Sequence, residues 1–140
     1  MYLLDTNLVS ELRKARSGKA DRNVAAWPDG VDANELYIPA ITVQELEIGV
    51  LLAERRDTTQ GAVLRDWLDG HVLPAFANRI LSVDIFVALR SARLHVPDPR
   101  PVRDSLIAAT ALVHGMTVVS RNTADFEPTG VATLNPRLTR

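Results

Sequence analysis

The sequence predicts an α/β fold, a single domain built on a central, mostly parallel sheet of about four or five strands with helices on both faces. Three observations support this. Short apolar runs alternate with amphipathic stretches of helical length along the whole chain. The first run, Tyr2-Leu3-Leu4, lies at the amino terminus and is closed by an acid, Asp5. Late in the chain, Leu-Ile-Ala-Ala-Thr-Ala-Leu-Val is small and apolar enough to lie close against a sheet. The 140 residues suit one compact domain, which at that size buries roughly two-thirds of its unfolded surface without help from a disulfide or structural metal. There are no internal repeats, low-complexity tracts or linkers.

The elements follow in order. Residues 2 to 5 read as a short buried strand. Thr6 to Lys14 reads as a helix with Leu8, Val9 and Leu12 on one face and Asp5 or Thr6 as its cap. Arg13 to Lys19 is a polar, basic connection. Asn23 to Trp27 suits one or two helical turns, stopped by Pro28-Asp29-Gly30. Leu36 to Ala40 is a second strand, and Thr42 opens a helix to Arg56 with Val43, Leu46, Val50 and Leu51 inward. Thr58 to about Leu73 is another amphipathic helix, carrying Val63, Leu64, Trp67 and Leu68. Arg79 to Val83 is a third strand. Asp84 caps a helix to about His95, ended by Pro97-Asp98-Pro99. Arg103 to His114 is helical and Gly115 ends it. Met116 to Ser120 and Val131 to Leu134 complete the strands.

Composition narrows the chemistry. No cysteine is present, which removes thiolate catalysis, zinc–thiolate sites and disulfide scaffolds. Lys+Arg is 16 against Asp+Glu 17, a net charge of −1, so nucleic-acid binding would have to rest on local patches. Only Lys14 and Lys19 are lysines; the arginine bias suits bidentate phosphate contacts, though a GC-rich genome produces the same bias. No basic segment precedes a long apolar stretch at the amino terminus, and no apolar run reaches bilayer length, so the expectation is no signal peptide, no membrane span and a cytoplasmic location.

Four acids stand at comparable element ends: Asp5, Glu45 in Thr-Val-Gln-Glu-Leu, Asp104 in Val-Arg-Asp-Ser-Leu-Ile, and Asp125 in Ser-Arg-Asn-Thr-Ala-Asp-Phe. Each also has a purely structural use. Asp5 can cap the first helix. Thr42-x-x-Glu45 has capping-box spacing. Asp104 lies in a first helical turn, where it complements the macrodipole. Asp125 can make an Asx-turn. In a parallel sheet, however, strand carboxyl ends and the amino ends of following helices share one edge, where open α/β folds bind ligands. Carboxylates crowded there must protonate or be neutralised by a cation. With no cysteine and only His71, His95 and His114 scattered along the chain, the donors are oxygens, which favour Mg²⁺ or Mn²⁺ and phosphate chemistry.

Several alternatives lack their motifs. There is no Gly-x-x-x-x-Gly-Lys-Ser/Thr, no Gly-x-Gly-x-x-Gly after a strand and no Gly-x-Ser-x-Gly. An aspartyl-phosphate phosphatase wants a second aspartate two residues after the first, and Asn7 holds that place.

The segments Tyr-Leu-Leu-Asp-Thr-Asn, Ile-Thr-Val-Gln-Glu-Leu-Glu-Ile-Gly, Arg-Asp-Ser-Leu-Ile-Ala-Ala-Thr-Ala and Val-Val-Ser-Arg-Asn-Thr-Ala-Asp-Phe resemble, in order and over the whole chain, a single PIN domain. More closely they resemble the VapC-type ribonuclease toxins of bacterial toxin–antitoxin pairs, especially the FitB-like branch. The resemblance implies a Mg²⁺-dependent endoribonuclease whose acidic quartet is Asp5, Glu45, Asp104 and Asp125. Asp5 and Asp104 would be the main metal ligands; Glu45 and Asp125 would bind a second ion or hold the water. Thr6, Asn7 and Asn122 match polar positions around such a site. The resemblance also implies a homodimer, a cognate antitoxin that inserts a basic side chain into the acidic pocket, and transfer or ribosomal RNA as substrate.

RNA approaching an anionic pocket needs cations beside it. Arg100, Arg103 and Arg121 flank the acidic motifs and are the candidates for phosphate contact. Arg13, Lys14, Arg16, Lys19 and Arg22, offset by Asp21, form a second basic group that can equally be a solvated loop. Trp27 and Trp67 can stack on bases or pack in the core. Two other functions stay open at this point: a PIN-like module that binds RNA or protein without cutting, and a Mg²⁺-dependent phosphatase.

Overall fold

A computed structural model describes residues 1–14, 18 and 21–138. Five parallel strands form a sheet in the order β3-β2-β1-β4-β5. β1 is Tyr2–Leu4, β2 Leu36–Pro39, β3 Ile80–Leu81, β4 Thr117–Val119 and β5 Thr133–Leu134. The helices are α1 Thr6–Lys14, α2 Arg22–Ala26, α3 Ala40–Arg56, α4 Thr58–Trp67, α5 Leu73–Ala75, α6 Ile85–Leu94 and α7 Val102–His114. Among the described residues, no helix is long and apolar enough to cross a membrane.

The two-residue strand period divides the core. Leu3 sits opposite Tyr37 and Val118 in the parallel register, and all three join the cluster of Ile107, Ala108 and Ala111 from α7, with Met116 and Phe126. Their neighbours Leu4, Ile38 and Val119 point the other way, into Leu8 and Val9 of α1, Val24 of α2, Leu46 and Val50 of α3, and Leu68. Strand order explains why helices cover both faces. The chain steps outward from β1 to β2 to β3, then crosses back over the sheet to β4 on β1's free side. Right-handed crossovers in opposite directions lay their helices on opposite faces.

Several element bounds differ from the sequence expectation, each for a local reason. α3 starts at Ala40, not Thr42: Pro39 ends β2 in extended conformation and stands at the N-cap with no side-chain cap bond. Leu51 is exposed, not inward, because α3 buries Thr42, Leu46, Val50 and Ala53, a stripe that passes Leu51 by; Val63 on α4 is exposed as well. The helix expected from Thr58 to about Leu73 widens into a π-helical turn over Leu68–Val72. Pro74 lacks the N–H that Gly70 would otherwise receive, and its ring crowds that carbonyl. The edge strand β3 keeps only Ile80–Leu81, while Arg79 gathers the carbonyls of Ala33, Leu36 and Ala75. Asp84 caps α6 as expected, accepting from Val87 N at 2.9 Å. Gly115 takes φ 68° at the end of α7, and Met116 N–H returns to the Ala111 carbonyl at 2.9 Å, turning the chain into β4.

α3 and α4 cross closely at Gly61, where a Cβ would stand 2.5 Å from Glu54 Cα. Gly61→Ala therefore forces the helices apart and should cost about 1–3 kcal/mol in urea denaturation. Gly49→Ala on α3, with no atom within 4 Å of its added Cβ, should be neutral or stabilising. Equal effects would refute the close crossing.

Candidate active site

β1 and β4 are parallel sheet neighbours whose following connections run to opposite sides of the sheet, so the crevice at their carboxyl ends is the topological switch point. The ladders run one residue past each strand: Asp5 N–H reaches Val119 O at 3.2 Å, and Ser120 N–H reaches Leu134 O at 3.0 Å. This delivers Asp5 and Ser120 side by side. Asp5 is only 1% exposed. Its Oδ1 accepts from Leu8 N–H at 2.9 Å, so it does begin α1, and its Oδ2 accepts from Ser120 Oγ at 2.7 Å. Ser120 Oγ in turn accepts from Asn122 N–H at 2.9 Å, which fixes the turn carrying the last acid. Burial pushes the Asp5 carboxyl above its usual range; the Ser120 and Leu8 hydrogen bonds and the Arg103 charge oppose this without cancelling it, and Glu45 adds repulsion.

Glu45 projects from α3 towards α1. Thr6 Oγ1 donates to Glu45 Oε1 at 2.5 Å and lies 3.2 Å from Thr42 Oγ1. One hydroxyl proton cannot serve both, and the short carboxylate contact takes it, leaving Thr42 to donate to Thr6. Glu45 therefore does not close a capping box with Thr42, since α3 begins earlier at Ala40 and its N-cap is Pro39. Asp104 stands in the first turn of α7. Burial raises its pKa first; Arg103 lowers it, and the charges of Asp125 and Glu45 push it back up. Asp125 is exposed on the 3₁₀ turn Thr123–Asp125, near enough for that repulsion to act.

Arg103 holds this group together. Its Nε donates to Glu45 Oε1 and Oε2 at 2.7 and 2.6 Å, and its Nη1 donates to Asp104 Oδ1 at 2.7 Å. Among the described residues, no three His, Asp or Glu side chains surround a point that could hold an ion. The positive charge between Glu45 and Asp104 is the guanidinium.

The other two flanking arginines are also engaged. Arg100 Nε donates to Leu94 O at 2.8 Å, and Arg121 Nη1 pairs with Glu11 Oε2 at 2.9 Å. Arg121 lines a polar cavity of about 320 Å³ with Asn7, Ser10, Glu11, Lys14, Asn122 and Arg137. Asn7 and Asn122 thus face this neighbouring cavity. Of the second basic group, Arg16 and Lys19 lie outside the described residues, and Arg13 stacks 5.7 Å from the centre of the Trp67 ring. Trp27 packs edge-on against Tyr2 at 5.3 Å. Both tryptophans are half-buried against the core.

Ser120 and Glu11 were not marked as site residues by the sequence, and Thr42 was marked only as a capping-box partner of Glu45. Ser120 carried a signal, since a polar residue closes Thr-Val-Val as Asp5 closes Tyr-Leu-Leu. Glu11 sits inside a helical pattern where nothing local marks it, and nothing local points Thr42 towards Thr6.

The raised carboxyls set a pH dependence. A group whose pKa rises on folding contributes stability that is fully present below its unfolded pKa of about 3.9 and is lost as pH climbs through the folded value. Without divalent ions, Asp104→Asn should therefore lose less stability than the unmodified chain between about pH 4 and pH 7. Urea midpoints across that range check this, and parallel curves would contradict it.

Comparison with known proteins agrees with this fold. Residues 2–130 match the PIN domain family. The chain is 39% identical to "VapC ribonuclease Y4jK" of Sinorhizobium fredii, over 97% of each chain. It is 38% identical to "Toxin FitB" of Neisseria gonorrhoeae, over 97% of this chain and 98% of that one. The crystal structure of FitAcB from Neisseria gonorrhoeae superposes with a TM-score of 0.88 at 37% identity, covering 97% of this chain and 98% of the other. Sequence motifs, sheet order and relatives agree: the chain belongs to the PIN domain family.

Proposed function

We propose that the chain is a metal-dependent endoribonuclease acting as the toxin of a toxin–antitoxin pair. The observation that carries this is the joining of carboxylates from distant segments at one sheet edge. Arg103 joins Glu45 of α3 to Asp104 of α7, and Thr6, the residue after Asp5, donates to Glu45; the charges of Arg103 and Glu45 act on Asp5 at the end of β1, and that of Asp125 acts on Asp104. Burial first, and the neighbouring carboxylates second, hold two of these carboxyls above their ordinary pKa, so a cation at the site would favour their charged forms. The names of the VapC and FitB relatives support the same reading.

The donor chemistry fits a hard divalent ion. Every candidate ligand is a carboxylate oxygen, and a cation already bridges two of them. Asp5, Asp104, Asp125 and Glu45 would hold Mg²⁺, with Mn²⁺ as substitute. When bound, the ion supplies charge stabilisation at the phosphodiester and lowers the pKa of water. The protein's own part is positioning. Ser120 and Leu8 N–H lock Asp5 in one rotamer, and Thr6 and Arg103 fix Glu45, which in this reading holds the ion or the attacking water. Asn7, Asn122 and Arg121 present polar groups to a strand lying in the adjacent cavity, and Arg100 and Arg103 complete the cationic border. RNA, transfer or ribosomal, is the substrate in this reading.

One observation favours a different reading. Arg103 gives Glu45 and Asp104 a structural partner, which a PIN-like module that binds RNA or protein without cutting could also use. Cleavage assays separate the two. Asp5→Asn and Asp104→Asn should each lower Mg²⁺-dependent RNA cleavage by about 10²–10³-fold with the fold retained by circular dichroism. Undiminished cleavage in excess EDTA, or none by the antitoxin-free chain on structured RNA with Mg²⁺, would sink the nuclease.

An antitoxin partner and a homodimer belong to the same proposal. Ile85, Phe86 and Leu89 of α6 and Val113 of α7 are exposed apolar side chains on a pair of packed helices, a surface that supports self-association. Phe86→Glu should convert a dimer to a monomer in light scattering while leaving the thermal midpoint of the monomer fold intact. A single unchanged mass for both proteins would exclude this face.

A further inference from the structure

We infer that Arg103 is a built-in counter-cation that competes with the divalent ion and, once displaced, binds an RNA phosphate, so that ion binding and RNA binding reinforce each other. This rests on the reading of the site as a metal-dependent nuclease and adds its regulation.

The geometry is specific. Nε of Arg103 contacts both oxygens of Glu45 and Nη1 contacts Asp104 Oδ1. Two N–H groups of one guanidinium, the Nε one shared between both Glu45 oxygens, therefore occupy oxygen atoms of two candidate ion ligands. An ion cannot use those lone pairs while the guanidinium holds them. The crowding that would attract an ion is partly answered in its absence, which lets carboxylates from three segments fold together. Arg103 is one-third exposed and stands at the first turn of α7, so its side chain has a route out to solvent.

Displacement changes what the arginine can do. Held by Glu45 and Asp104, its charge is spent within the protein. Released, it is a planar, always-charged fork at the rim of an acidic centre, and a phosphodiester is its natural partner there. The ion then does two things for RNA: it neutralises the carboxylates and frees a phosphate-binding side chain. By linkage, RNA must tighten ion binding by the same factor. Lysine would be a poorer occupant, because a point charge cannot span both carboxylates at once.

The test measures Mn²⁺ binding from the free-ion electron paramagnetic resonance signal, with and without a non-cleavable 2′-O-methyl RNA. The unmodified chain should bind Mn²⁺ more tightly when RNA is present, by a factor in the range of about 5- to 150-fold. Arg103→Gln should bind Mn²⁺ more tightly than the unmodified chain without RNA, melt at a lower temperature without metal, and lose the RNA-dependent gain. Arg103→Lys should fall between them. Equal Mn²⁺ affinities and melting temperatures for the unmodified chain and Arg103→Gln would overturn the inference while leaving the nuclease reading intact. Absence of Mn²⁺ binding in both proteins would end both.

Discussion

Negative charge gathered at one edge of a parallel sheet is the constraint around which this molecule is arranged. Asp5 cannot move away, because its backbone is in the sheet and its carboxylate caps α1. Asp104 cannot move away either, because α7 is packed under the sheet through Ile107, Ala108 and Ala111. Burial, with repulsion added to it, holds Asp5 and Asp104 above their ordinary range, and a cation answers part of the charge, since Arg103 bridges Glu45 and Asp104.

The site therefore depends on the same features that make the core. Leu3 and Leu4 point to opposite faces, so the strand that delivers Asp5 is anchored in both halves of the hydrophobic interior. The crossover from β3 to β4 sets Ser120 beside Asp5, and a single hydroxyl links the two central strands at their functional end. Precision in the acids comes from rigid elements and short hydrogen bonds from buried Thr6 and Ser120. The rim is different. Asp125 on the 3₁₀ turn Thr123–Asp125 and Asn122 at its N-cap stand exposed.

Local structure and function overlap in these acids without excluding each other. Asp5 is both a helix cap and a site carboxylate, because the amino end of α1 and the carboxyl end of β1 are the same place. Glu45 had a comparable local explanation, and it failed. Pro39 shifts the start of α3 to Ala40, and the carboxylate turns to Thr6, 39 residues earlier in the chain. A spacing motif is only as good as the helix boundary assumed for it.

Much of this was legible in the amino-acid order alone. Apolar runs closed by polar residues marked β1 and β4, Asp84 and Gly115 marked helix ends, and the four acidic motifs were readable as members of one edge, because strand periodicity and capping chemistry are local. The partners of charged groups were not legible. That Arg103 bridges Glu45 and Asp104, that Arg121 pairs with Glu11 110 residues away, and that Ser120 binds Asp5 all depend on strand order and side-chain packing. Sequence spacing encodes the period of a helix or strand, whereas the meeting of groups from different elements is decided only when the sheet closes around its core.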